Sequence, residues 1–105
     1  MEYIYDENLD SIDDVFNKYQ SDIYTRILES IKDNYKKSDV DKIKVVSIST
    51  SKYDYTISLS SDRYISSLNS CIAFFESIED YEKCQSCVNI ISDIQNKLDL
   101  RYDSM

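Results

Sequence analysis

Across its 105 residues the chain contains no glycine and no proline. Glycine is the residue that enters the left-handed backbone region without steric cost and lets a main chain approach a phosphate closely. Loops of the P-loop and dinucleotide-fingerprint kind need both properties, so the composition excludes nucleotide binding by those routes. Histidine is absent as well. Its absence removes Ser-His-Asp and Cys-His nucleophile activation, His-ligated zinc, and the side chain whose ordinary pKa lies nearest neutrality. With the acid–base equipment of most hydrolases missing, the expectation is a protein that is not an enzyme and carries no cofactor.

The length suits a single domain, residues 1–105, with one modest core. Hydrophobic residues make up 42% and charged residues 30%, ordinary values for a globular chain, so folding is expected despite a net charge of −8. No apolar run nears the roughly 18 residues that cross a bilayer, and MEYIYDENLD has neither the basic start nor the apolar stretch of a signal peptide. A cytoplasmic location without membrane contact is expected. In such a reducing compartment the three cysteines should be thiols rather than a disulfide framework. Ile, Asn, Lys, Tyr, Asp and Ser are abundant while Ala and Arg are scarce. This bias resembles that of small proteins from AT-rich phages and viruses.

Hydrophobic spacing gives the elements. Leu9, Ile12, Phe16, Tyr19, Ile23, Ile27, Ile31 and Tyr35 recur every three or four residues and predict a helix over residues 8–37, with Ser21 and Asp22 marking where it can break. From Lys42 to Ser60 the chain turns β-branched and aromatic. Tyr53, Tyr55, Ile57 and Leu59 alternate with Asp54, Thr56, Ser58 and Ser60, the period of a half-buried strand. A hairpin turning near Ser51 and Lys52 follows, with a longer loop expected because no Asn-Gly or Asp-Gly pair is present. Helical spacing returns at Ile65, Leu68, Ile72 and Phe75, capped by Ser60 or Ser61. A third helix starts from a Ser77–Asp80 capping box and carries a stripe of Tyr81, Cys84, Val88, Ile91 and Leu98. The fold class is therefore α+β, in the order α-β-β-α-α: a helix, a two-stranded antiparallel hairpin and an antiparallel helix pair. No internal repeat, linker or low-complexity segment interrupts it.

The segment ESIEDYEKCQSCVNIISDI carries a Cys-x-x-Cys pair. If the helix pair folds at Ser77 and Ile78, Cys71 lies level with Cys84, Phe74 with Tyr81 and Leu68 with Cys87, and the thiols share an apolar face. Packing as small buried hydrophobes is the leading reading. A zinc site from Cys71, Cys84 and Cys87 lacks a fourth ligand unless an acid supplies it. A redox pair would sit well inside the helix, away from the N-terminal dipole that lowers a thiol pKa. No metal ligand is assigned.

EDYEKCQSCVNII resembles the core of the UVR motif, over residues 65–95, with Tyr81, Glu82 and Cys84 at the aromatic, acidic and small positions and Ile91 at the later apolar one. Val88 and Asn89 stand where the family has Arg-Asp. The resemblance implies an antiparallel helix pair used for protein–protein contact.

Charge is uneven: residues 1–35 carry nine acids against three bases, 36–63 four against six, and 64–105 seven against three. Acidic helical regions repel phosphate backbones, so direct nucleic-acid binding is not expected. The acid clusters DENLDSIDD and ESIEDYE lack calcium-loop spacing and sit where helix dipoles favour negative charge. Tyr3, Tyr5, Tyr53, Tyr55, Tyr64 and Tyr102 fall at element edges, where tyrosine serves either as core lining or as an interface anchor. Together these point to a phage or virus accessory protein whose acidic surface binds a host protein, one that handles nucleic acid being a natural target. The candidate binding residues are Tyr53, Tyr55, Asp13, Asp14, Glu76, Glu79 and Asp80. The alternative is a small structural subunit of a larger assembly such as a virion, with self-association left open.

Overall fold

The computed structural model describes residues 3–9 and 11–103, in two compact units, Met1–Ser61 and Asp62–Met105. The first unit contains β1 (Tyr3–Asp6), α1 (Ile12–Lys18), α2 (Gln20–Asn34), β2 (Lys42–Thr50) and β3 (Asp54–Ser60). A single 3-10 turn, Ser61–Arg63, leads to α3 (Tyr64–Ser77) and α4 (Tyr81–Asp103) of the second. The described residues thus combine four α-helices with a three-stranded mixed sheet, ordered β1-β2-β3.

This corrects the expected α-β-β-α-α order. A strand precedes the helices, and it joins β2 in parallel while β3 joins β2 antiparallel. With only four residues, β1 is too short for its alternation to stand out in the sequence. Parallel pairing requires a crossover between the strands, and α1 and α2 supply it.

The first helical segment is divided, as the sequence allowed, but two residues before the expected Ser21–Asp22 position. Tyr19, at φ −113° and ψ 26°, leaves helical geometry between α1 and α2. Successive residues of a continuous helix point about 100° apart, whereas the break lets neighbouring Lys18 and Tyr19 both reach the carboxylate of Asp6. Val15 is fully buried while Phe16 is 36% exposed, so in α1 the stripe runs one residue earlier than the spacing suggested, whereas Ile23 and Ile31 of α2 lie where it placed them. Ile23, Leu28 and Ile31 of α2 are buried, as are Ile4 of β1 and Ile43, Val45, Val46 and Ile48 of β2.

Adjacent buried residues in a strand need an explanation, because strand side chains alternate. Val45 is the extra residue of a bulge: Lys44 faces Ser58, Val46 faces Ile57, and Val45 has no partner across the pair. The bulge reverses the alternation, so Ile43 and Val45 before it and Val46, Ile48 and Thr50 after it are all buried. Arg26 of α2 donates from Nε to the Val45 carbonyl at 3.3 Å and from a terminal nitrogen to Ser30 Oγ at 3.1 Å. The carbonyl exposed by the irregularity is thereby satisfied. Within β3 the alternation holds for Tyr55, Ile57 and Leu59, half-buried, and Asp54, Thr56 and Ser58, exposed, but at the ends of the expected pattern Tyr53 is exposed and Ser60 half-buried. Its hairpin is tighter than anticipated, because the Thr50 hydroxyl accepts from the backbone N–H groups of Lys52 and Tyr53, at 3.3 and 3.1 Å, and closes the turn without glycine.

In the second unit α3 and α4 pack as an antiparallel pair that buries Tyr64, Leu68, Cys71 and Phe75 from one helix and Cys84, Cys87 and Ile90 from the other. Ile65, Ile72 and Ile91 are half-buried, whereas Tyr81 and Val88 are 64% and 47% exposed, against expectation. The side chain of Leu98 lies outside the described residues. The register differs because the turn centres on Glu79 instead of on Ser77 and Ile78. Asp80 N–H donates to the Phe75 carbonyl at 2.8 Å and Glu79 N–H to the Glu76 carbonyl at 3.0 Å, the crossed pair of a Schellman ending. Asp80, not Ser77, caps α4, its carboxylate accepting from Lys83 N–H at 3.3 Å.

A Schellman ending requires a left-handed residue after the helix, a place ordinarily taken by glycine. Here Glu79 occupies it at φ 60°. A non-glycine residue there costs about 1–2 kcal/mol. Glu79→Gly should therefore raise stability by about 1 kcal/mol, and Glu79→Val should lower it by at least as much, read as opposite shifts of the urea midpoint at constant slope.

Candidate interaction surface

The alternation of β1 sends Ile4 and Asp6 inward and Tyr3 and Tyr5 outward, with Tyr3 54% and Tyr5 59% exposed. Register then builds the open face of the sheet. Tyr3 lies beside Ser47, which lies beside Thr56, while Tyr5 lies beside Ser49, which lies beside Asp54. The Tyr3 hydroxyl donates to Ser49 Oγ at 2.9 Å, and Ser49 in turn donates to the Asp54 carboxylate. A row of oriented hydroxyls therefore ends on a negative charge. An open depression of about 380 Å³, lined by Tyr3, Lys44, Val45 and Ser47, lies next to it. Exposed aromatic rings set among small hydroxyl residues offer flat apolar area and hydrogen-bond donors at little conformational cost, the composition of a protein-docking surface.

On the opposite face, Asp6 fixes the position of β1. Asp6 is 7% exposed, and its carboxylate accepts from Lys18 Nζ at 2.6 Å, Tyr19 Oη at 2.9 Å and the Asn8 N–H at 3.0 Å. The Lys18 contact, followed by the Asn8 and Tyr19 hydrogen bonds, pulls the Asp6 pKa down to about 2. The same carboxylate raises the Lys18 ammonium and the Tyr19 phenol above their ordinary values. The triad thus ties β1 to the α1–α2 junction. Neither the strand nor the triad was anticipated from sequence; the alternation Tyr3-Ile4-Tyr5-Asp6 was the available signal.

The residues singled out from sequence fall in three separate places. Asp13 and Asp14 are exposed in the first turn of α1, where Ser11 Oγ accepts from Asp14 N–H at 3.2 Å. Tyr53 is 53% exposed just before β3, and its ring centre lies 5.9 Å from that of half-buried Tyr55. Glu76, Glu79 and Asp80 come together at the α3–α4 turn, the first two exposed. Asp80 is occupied by Lys83, whose Nζ lies 2.6 Å away and which holds the Asp80 pKa below the usual carboxylate range. The Lys83 ammonium also stands 5.7 Å above the Phe75 ring, so this pair belongs to the turn. Of the other tyrosines, Tyr64 is buried, and the side chain of Tyr102 is outside the described residues.

The thiols pair differently from the expected register. Cys71 and Cys87, both fully buried, are hydrogen-bonded to each other, and Cys84 donates to the Ile72 carbonyl at 3.7 Å. The bond to Cys87, together with burial, pushes the Cys71 thiol up, and burial with the nearby acids raises Cys84. Among the described residues no group of three or more Cys, Asp or Glu side chains is placed to hold a metal ion, and no helix is long and apolar enough to cross a membrane. Comparison with protein families, with curated proteins and with solved structures finds no match to this chain.

The low Asp6 pKa makes an acid-stability prediction. A carboxylate whose folded pKa is depressed stabilises the fold fully above its unfolded value, near 4, and that contribution is lost as pH falls toward about 2. The stability gap between the parent chain and Asp6→Asn, from urea unfolding, should be largest above about pH 5 and narrow steadily toward pH 2. A gap constant across that range would show that the charge of Asp6 is immaterial.

Proposed function

We propose that this chain is a non-enzymatic protein–protein interaction module whose open sheet face docks a partner protein. The observation that carries this reading is the placement of Tyr3 and Tyr5, each more than half exposed, on a face of oriented hydroxyls that ends at Asp54. Two large exposed rings on one short strand make poor use of apolar area unless something covers them. The net charge of −8 favours a basic partner, since complementary charge speeds encounter and selects among surfaces. Exposed Asp13, Asp14, Glu76 and Glu79 add to that field. The AT-rich compositional bias supports an accessory role for a phage or virus, acting in the host cytoplasm on a basic, nucleic-acid-handling protein. The UVR-like resemblance of residues 65–95 supports the same kind of role for the helix pair.

A second reading, a small structural subunit of a larger assembly, is favoured by one feature, the outer edge of β3, beyond which no described strand lies. Salt separates the two, because docking of an acidic module on a basic partner weakens with ionic strength while a buried assembly interface resists it.

The test is affinity capture from host lysate with the parent chain and with a Tyr3→Ser/Tyr5→Ser variant, followed by measurement of the captured protein's affinity at rising salt. The expected result is a partner whose affinity drops about tenfold or more in the variant and declines steadily with salt. Equal binding by the two chains would remove the sheet face from the function.

A further inference from the structure

We propose that β3 is the edge through which a second copy of this chain pairs, antiparallel and two-fold symmetric about Ile57. The sheet has two edges. β1 is protected by being only four residues long, whereas β3 runs seven, and no described strand lies beyond it. Natural edges are guarded by lysine, proline, a bulge or brevity. β3, DYTISLS, has no lysine and no proline, and the bulge of the hairpin lies in β2. Its central residues, Tyr55 to Leu59, are uncharged and rich in strand-forming types.

Self-complementarity identifies the occupant. Pairing about Ile57 sets Ile57 against its own copy, Tyr55 against Leu59, Thr56 against Ser58 and Asp54 against Ser60. Apolar side chains therefore meet on one face and hydroxyls on the other. On the inner face, Ile43–Leu59 and Ile48–Tyr55 are already neighbours within each sheet, so pairing continues both rows across the axis.

The outer face supplies the charge argument, which matters because two copies carrying −8 each repel. The only charged residue of β3 is Asp54. In this register it lies opposite Ser60 of the second copy, and Ser60 lies beside Lys42. Strands are spaced about 4.8 Å apart, so Lys42 and the second copy's Asp54 stand roughly 10 Å apart at Cα, separated only by a serine. A lysine side chain spans that gap. Each interface thus places two Lys42–Asp54 pairs symmetrically at its ends.

Sedimentation velocity on the full chain over a wide concentration range tests this. The parent chain should show a monomer–dimer equilibrium that stops at the dimer, because a two-fold contact closes on itself. Thr56→Lys/Ser58→Lys places lysines directly opposite each other on the exposed face and should weaken dimerisation about tenfold or more with an unchanged far-UV spectrum. Lys42→Glu should weaken it, and Lys42→Glu/Asp54→Lys should restore it. A parent chain monomeric at all concentrations, growth past the dimer, an unaffected lysine variant, or a charge swap that fails to restore pairing would each overturn the proposal.

Discussion

What unit 1 presents to its surroundings depends on one buried carboxylate. β1 is four residues long, lies at the edge of the sheet, and pairs in parallel with residues 44 positions later in the chain. Closing a loop of that size for a handful of backbone hydrogen bonds is unfavourable. Asp6 offsets the cost by gathering Lys18, Tyr19 and the Asn8 N–H at the end of the strand. The break at Tyr19 is part of the same arrangement, since a continuous helix would aim the two side chains apart. With Asp6 held inward, the alternation of the strand aims Tyr3 and Tyr5 outward.

The rest of the architecture shows how a chain without glycine makes its corners. Among the described residues only Glu79 has a positive φ, and the Schellman bonds and the Asp80 cap surround it with compensating interactions. The β2–β3 turn avoids the left-handed region altogether by using the Thr50 hydroxyl as acceptor. The bulge at Val45 solves a different problem. It lets a strand present apolar side chains to the core on both sides of the irregularity, while Arg26 satisfies the displaced carbonyl. Thr50 at the β2–β3 turn, Arg26 at the bulge and Asp80 after the α3–α4 turn each add a side-chain bond where other proteins use a flexible backbone.

Side-chain periodicity made the type of each longer element legible, though not always its buried face. The β3 alternation, the hairpin at Ser51 and Lys52, and the pairing of α3 with α4 follow directly from spacing. The misreadings share a cause, which is that the deciding interaction is tertiary. The exact place of the helix break goes with the Tyr19–Asp6 bond across the fold, and Val45 is recognisable as a bulge only against its partner strand. Moving the helix turn from Ser77 and Ile78 to Glu79 exchanged Cys84 for Cys87 opposite Cys71 and left Val88 exposed. Of the residues chosen as a site, Tyr53 is exposed but Asp80 is engaged in capping. The open face that carries Tyr3 and Tyr5 was hidden because its strand is too short to declare itself.

Hydrogen exchange of the Asp6→Asn variant, residue by residue, tests most directly whether that carboxylate holds β1 in place. Exchange reports local opening free energies, so loss of one anchor should register where the anchor acts. The predicted result is that Tyr3–Asp6 amides protected in the parent chain exchange much faster in the variant while the β2–β3 hairpin keeps its protection. Unchanged protection in β1, or an equal loss throughout the sheet, would contradict it.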